Sequence, residues 1–320
     1  MDRVRFWGTR GSLPVALTAS GVREKVIAAL RGAAGRSFAS DADLVAYVDA
    51  LPFTTSGTFG GHSPCVELVT GGPDYVLCDL GTGARPFGQS VLARHGAAPQ
   101  TFHVFMSHVH WDHIMGFPFF APAYRPGNRI RIYGAHEALE TALRRQQAPP
   151  SFPVDFAALG ASIEFVRLLP DRDYDIAGLA VRLMLQRHAG DSYGYRFTAS
   201  GKTVIYSTDS EHTLADLAET HRFVEFFRGA DLVVFDAMYS LADSISVKAD
   251  WGHSSNIVGV DLCHMAGARH LCLFHHEPVH GDEAIVRVLG ETQRYEALAR
   301  RDGRAALRVS AAYDGMEVAL

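Results

Sequence analysis

Cysteine is scarce and shows no pairing pattern: Cys65, Cys78, Cys263 and Cys272 are the four in 320 residues, and none forms a C-x-x-C. That excludes a zinc knuckle and a thioredoxin-like motif, and at this chain length it does not read as a disulfide framework. Buried, reduced thiols are expected. Long apolar runs are also missing. The greasiest stretch, Ile114 to Tyr124, is broken by Gly116, Pro118 and Pro122 and is too short to span a bilayer. Met1-Asp2-Arg3-Val4-Arg5-Phe6 lacks the apolar core of a signal peptide, so a cytoplasmic protein with no membrane association is expected. There is no basic excess either. A formal net charge of −5 argues against a protein held on nucleic acid by bulk charge. No P-loop, dinucleotide fingerprint, G-x-S-x-G elbow, internal repeat or low-complexity tract is present. With 48% hydrophobic and 20% charged residues, disordered, collagen-like and coiled-coil chains are excluded.

What is abundant is histidine, 16 against 30 Lys plus Arg, and several of these cluster. Short apolar runs bounded by Gly and Pro predict strands at Val4–Trp7, Cys65–Val69, Tyr75–Cys78, Thr101–Met106, Arg129–Tyr133, Ile163–Leu168, Leu179–His188, Tyr193–Thr198, Thr203–Ser207, Leu232–Asp236 and His270–Phe274. Thr70-Gly71-Gly72-Pro73-Asp74 reads as a hairpin connection. Helical patterns are expected at Ala135–Gln147, Leu214–Phe227, Ser255–Ala266 and Asp282–Arg300, and the tail runs Ala306–Val309 and Met316–Ala319 suggest a closing strand pair. No composition break marks a domain boundary, so residues 1–320 are expected to form one domain of sheets covered by helices. Val15–Ser56 stands apart as a helical insertion with patterns at Gly21–Arg31 and Asp41–Leu51. Its apolar stripe, Val22, Val26, Ile27 and Leu30, should be buried against the body, a second subunit or the facing Leu44, Val45 and Val48. The insertion is expected either to border the reaction cleft or to form a homodimer contact.

The strongest chemical signal is Ser107-His108-Val109-His110-Trp111-Asp112-His113, directly after an apolar strand. Three imidazoles and a carboxylate in six residues suit a zinc-class ion, and packed together without one they would titrate and repel. One loop cannot complete two coordination spheres. The remaining donors must come from later strand ends, where His188, Asp209, His275 and His276 stand.

H-x-H-x-D-H followed by His, Asp and His at strand ends resembles the metallo-β-lactamase superfamily, in particular the dinuclear branch of ribonuclease Z and bacterial cyclic phosphodiesterases. Phe6-Trp7-Gly8-Thr9-Arg10-Gly11-Ser12, Asp79-Leu80-Gly81-Thr82-Gly83, Ser192-Tyr193-Gly194-Tyr195-Arg196, Gly252-His253-Ser254-Ser255 and Phe274-His275-His276-Glu277-Pro278 carry the same likeness. The resemblance implies a four-layer αββα sandwich. It implies one metal on His108, His110 and His188, another on Asp112, His113 and His275, and Asp209 bridging the two. The cofactors would be two divalent ions, zinc foremost with manganese or iron as alternatives, sharing a hydroxide that attacks phosphorus. Asp112 would serve both as ligand and in catalysis, and His253 would donate a proton. Asp79 would orient ligands from behind, His276 would hydrogen-bond near the site, and Ser192 and Tyr193 would touch substrate. The expected partner is a small or cyclic phosphodiester, with nucleic acid disfavoured.

Two segments depart from the family pattern beside the expected site: Gly60-Gly61-His62-Ser63-Pro64-Cys65 and His188-Ala189-Gly190-Asp191. They bear on substrate preference. Rival readings are a glyoxalase-type thioesterase or lactonase, a tRNA 3′-end endonuclease, a flavodiiron enzyme and a non-enzymatic descendant. The G-H-S and S-Y-G-Y segments favour the phosphodiesterase branch, and no ligand position is missing.

Overall fold

Along Tyr75–Cys78 the side chains alternate: Val76 and Cys78 enter one apolar cluster and Leu77 another. The same split recurs at Leu232–Asp236, where Leu232 and Val234 face one cluster and Val233 and Phe235 the other. A strand greasy on both faces must be covered on both, which explains why these runs read as continuously apolar. Three such clusters stack in the molecule: helices on a sheet, sheet on sheet, and sheet on helices. This is the expected αββα sandwich. The computed structural model describes residues 1–212, 214, 216–238, 252–300 and 305–320.

The first sheet runs in the order β14 (Glu317–Ala319), β1 (Arg3–Gly8), β2 (Cys65–Val69), β3 (Tyr75–Cys78), β4 (Thr101–Phe105), β5 (Arg129–Gly134), β6 (Ser162–Arg167). The second runs β13 (Arg308–Ala311), β12 (His270–Phe274), β11 (Leu232–Asp236), β10 (Lys202–Ser207), β9 (Ser192–Ala199), β8 (Leu179–Gln186), β7 (Asp173–Ile176). β3 to β6 are parallel, as are β10 to β13, so their carboxyl ends open at one edge. Helices cover the outer faces: α4 (Ala84–His95) and α6 (Leu139–Gln146) on the first sheet, and α7 (Leu217–Phe227), α8 (Asn256–Ala266) and α9 (Asp282–Ala299) on the second. The four cysteines are buried and free.

Several expectations change. The two tail strands do not pair with each other: β13 extends the second sheet beside β12, and β14 closes the first beside β1. The helix expected over Leu214–Phe227 begins at Leu217, where the Asp216 side chain caps it, and Ala215 lies outside the described residues. The helix expected at Ala135–Gln147 is shorter, Leu139–Gln146. β7 escapes sequence reading because its hairpin turn is Ala177-Gly178, both at positive φ (54° and 73°), without the Asn-Gly or Asp-Gly signal. α4 is hidden by Pro86, which is harmless in a first turn where the N–H has no partner.

The insertion holds α1 (Ala19–Ala33), α2 (Asp41–Asp49) and α3 (Phe53–Ser56). Its stripe is not buried: Val22, Val26 and Leu30 are 47%, 52% and 66% exposed, and Leu44, Val45 and Val48 are exposed too. One ring and several polar ties hold it: Phe53 of α3 packs on Phe59 and Tyr313, with centroids 5.0 and 4.8 Å apart. Tyr47 donates to the Ala29 carbonyl, and Lys25 donates to the carbonyls of Thr54 and Gly57 and to Asp282 at the start of α9. Lys25 thus fastens the insertion to α9, and Phe53 fastens it to the apolar cluster of the second sheet.

Candidate metal centre

The residues at the open edge come from successive strand ends. Asp79 follows β3, and His108 and His110 follow β4. Asp112 and His113 lie in the single-turn α5 (Trp111–Ile114), His188 follows β8, Asp209 follows β10 and His275 follows β12. Asp79, Asp209 and His275 have φ of 60°, 47° and 61°. Left-handed backbone at three non-glycine residues is costly, and such strain concentrates at functional sites. Gly81 lets the loops meet: a Cβ there would lie 2.3 Å from the Asp112 carbonyl oxygen.

Two sets form. His108, His110 and His188 bring one donor atom each within 4.8 Å of one another, and Asp112, His113, Asp209 and His275 do the same. Asp209 stands between them. Its Oδ1 is 3.2 Å from His113 Nε2 and 3.3 Å from His275 Nε2, while Oδ2 is 3.7 Å from both His108 Nε2 and His188 Nε2. Asp112 Oδ2 lies 3.2 Å from His113 Nε2 and 3.1 Å from His275 Nε2, and accepts the Ser12 backbone N–H at 2.9 Å.

The imidazole tautomers are set from behind. Asp79, fully buried, accepts Ser107 N–H at Oδ1, and at Oδ2 it accepts Ser107 Oγ–H, Tyr206 O–H and His113 Nδ1–H, each at 2.7 Å. His108 Nδ1–H then donates to Ser107 Oγ (3.0 Å) and His188 Nδ1–H to the Gly252 carbonyl (2.8 Å). In each case Nδ1 carries the proton held from behind, so Nε2 is the atom turned toward the centre, as a metal ligand requires.

The site fits cations. His108 Nε2 and His113 Nε2 are buried with no hydrogen-bond partner, an expense that a bound ion explains. His108 is pushed well below the ordinary imidazole range by burial and then by His113, so it is a neutral donor. Burial works against charge on Asp209, but His275 and then His113 outweigh it and hold the carboxyl well below its usual range. His110 is exposed, which leaves the centre open to solvent on that side.

His253 stands beside both sets, its ring 5.2 Å from those of His188 and His275. Its Nδ1 is 2.8 Å from Asp236 Oδ2. Burial opposes its protonation, yet the Asp236 carboxylate pushes it up to about 9. Sequence reading missed Asp236, taken only as the last residue of a strand, although every other acid ending a parallel strand at this edge belongs to the site. Ser12 was also missed as a contact of Asp112.

The remaining candidates have their side chains in internal contacts. His276 turns away from the clusters, its Nε2 donating to the Ala312 carbonyl at 2.8 Å. Ser192 is fully buried and spends its hydroxyl on the Thr208 carbonyl, away from any substrate. Tyr193 is half-buried against His136, centroids 5.6 Å apart. Arg10, next to this edge, is buried, its guanidinium donating to the carbonyls of Gly60, Glu277 and His280.

Among known proteins, the sequence profile of the family described as the beta-lactamase superfamily domain matches residues 74–276. An uncharacterized protein of Mycobacterium leprae, ML1173, is 27% identical over 187 residues, covering 57% of this chain and 61% of its own. The chain therefore spans about three fifths of that relative's length. Ribonuclease Z of Thermoplasma acidophilum is 22% identical over 254 residues, covering 66% of this chain and 79% of its own. The solved structure of the metallo-beta-lactamase fold protein YhfI of Bacillus subtilis superposes with a TM-score of 0.64 at 15% identity, over 100% of this chain and 99% of that one. That likeness shows the fold.

Proposed function

The chain belongs to the beta-lactamase superfamily, and from that premise we propose that it is a dinuclear metallo-hydrolase that cleaves small or cyclic phosphodiesters. The observation that carries the reading is the pair of donor sets joined by Asp209 with a carboxylate-held imidazole, His253, at their side. His108, His110 and His188 would hold one ion, Asp112, His113 and His275 the other, and Asp209 would face both. Two divalent ions, zinc by the chemistry of this donor set, would supply Lewis-acid polarisation, a more acidic water and charge neutralisation for an in-line displacement.

The chain's own residues do the rest. Asp79, Ser107 and the Gly252 carbonyl keep three imidazoles in one tautomer, so the donors need no rearrangement. His253 keeps its Nδ1 proton on Asp236, whose carboxylate favours the imidazolium, and so can pass an Nε2 proton to a departing alkoxide. A poor leaving group such as a ribose or alkyl oxygen gains most from that proton, which favours diesters over thioesters, whose thiolates leave readily. The relationship to a protein named ribonuclease Z supports phosphorus as the centre attacked.

The test is a substrate panel on the metal-loaded chain: bis-p-nitrophenyl phosphate, a 3′,5′-cyclic nucleotide, an acyl thioester and a homoserine lactone. Diester turnover abolished by chelation is expected. Thioester or lactone turnover with inert diesters would refute the proposal.

A further inference from the structure

Trp111 is 73% exposed, and Phe119, just beyond the same loop, is 57% exposed. Exposed aromatics mark a candidate ligand groove when together they wall a concavity. Here they do: with Met115, Arg145, Gln146 and Phe152 they line a cleft of about 680 Å³, a size that takes a small ligand group. Its walls are braced. Gln146 Nε2–H donates to the Ile114 carbonyl at 2.8 Å, which ties α6 to the last residue of α5. Phe119 stands edge-on to Phe152 with centroids 5.5 Å apart.

The cleft and the metal centre share one loop. Trp111 is bonded directly to His110 and Asp112, one from each donor set, and His110 is exposed on the same stretch. The charge at the rim also suits the diester reading. Arg144 is engaged with Glu140 and stacks over Phe156, whereas Arg145 makes no ion pair among the described residues and lines the cleft. A cation beside aromatic walls complements a phosphodiester that carries a flat ring.

Resting on the phosphodiesterase reading, we propose that this cleft is the subsite for an aromatic substituent of the substrate, with Trp111 and Phe119 as its specificity-determining residues. The substrate class narrows to diesters bearing a nucleobase or an aryl ring, the shared chemistry being a planar aromatic group on a monoanionic phosphate.

The test measures binding, so it is independent of turnover. Diphenyl phosphate, dimethyl phosphate and a 3′,5′-cyclic adenine nucleotide are titrated calorimetrically into the metal-loaded protein and into Trp111→Ala and Phe119→Ala. Diphenyl phosphate or the nucleotide should bind about tenfold more tightly than dimethyl phosphate, as one ring contact permits. Whichever binds tighter identifies an aryl ring or a nucleobase as the occupant. In both variants the preference should collapse. Both side chains are exposed, so truncation opens no buried cavity, and unchanged metal content and thermal midpoint verify the fold. Equal affinities in the wild type, no binding of any phosphate, or a preference surviving both truncations would overturn the proposal. Failure of the phosphodiesterase reading shows separately, as inert diesters in the substrate panel.

Discussion

Asp79→Asn is nearly isosteric and should nonetheless strip metal from the centre. Four donors converge on this carboxylate: Ser107 N–H on one oxygen, and Ser107 Oγ–H, Tyr206 O–H and His113 Nδ1–H on the other. An amide offers one acceptor oxygen and one donor group. With its oxygen toward His113, the NH₂ meets the Ser107 N–H, donor against donor, in a fully buried pocket. With its oxygen toward Ser107 N–H, both hydroxyls can rotate to accept, but His113 must lose its Nδ1 proton and place one on Nε2, the atom aimed at Asp112, Asp209 and His275. Either arrangement leaves at least one buried group unsatisfied, about 1–3 kcal/mol. Loss of a carboxylate behind a ligating histidine typically costs ~10–100-fold in metal affinity. Competition with a chromophoric chelator should report that loss, and urea midpoints of the metal-free protein should fall by an amount matching the unsatisfied group. Metal affinity within threefold of wild type, with an unchanged midpoint, would refute the tautomer argument.

His253→Ala should keep both metals and lose about 10²–10⁴ in rate on alkyl diesters but much less on nitrophenyl esters, which need little protonation; equal losses on both would assign a structural role. Asp236→Asn should show the same leaving-group dependence with a smaller loss, read by kinetics at saturating metal. Fully buried His212 is pushed to about 3 chiefly by burial, with Asp236 opposing. Its unfolded pKa is about 6.5, so the unfolded state takes up a proton first, and stability falls as pH drops below about 6.5. Between pH 6.5 and 4.5 that amounts to roughly 2–3 kcal/mol, and His212→Phe should flatten the decline in urea midpoints over that window. Lys25→Ala should release the insertion, seen as faster amide exchange across residues 15–56 with metal content unchanged; unaltered exchange would show that the tie to Asp282 carries no weight.

The site was more legible in the sequence than the packing around it. Ligand residues announce themselves by type and spacing at strand ends; parallel strands bring the ends of β4, β10 and β12 to one edge, and the antiparallel meander of β8, β9 and β10 brings His188 to the same edge. Asp236 and Ser12 did not announce themselves. An Asp closing a strand looks like any other, and the contribution of Ser12 is a backbone N–H made available by left-handed backbone (φ 57°), which its residue type does not encode. Ser192 misled because a Ser beside a Tyr after a ligand loop suits substrate contact, whereas strand alternation sends its side chain inward to Gln186 and Thr208. The insertion's anchors were not legible either. Its apolar stripe suggested burial, whereas within the chain the half-buried Lys25 and the ring of Phe53 do the anchoring, with Val22, Val26 and Leu30 exposed. The tail strands could not be assigned because nothing local tells a closing hairpin from two edge strands of different sheets.

The central claim, that two ions joined through Asp209 drive phosphodiester cleavage, is tested most directly by returning zinc or manganese in measured equivalents to the chelated protein while following hydrolysis of bis-p-nitrophenyl phosphate. The account predicts no rate without metal and a rise that breaks sharply at two equivalents per chain. Full activity in the metal-free protein, or a plateau at one equivalent, would contradict it.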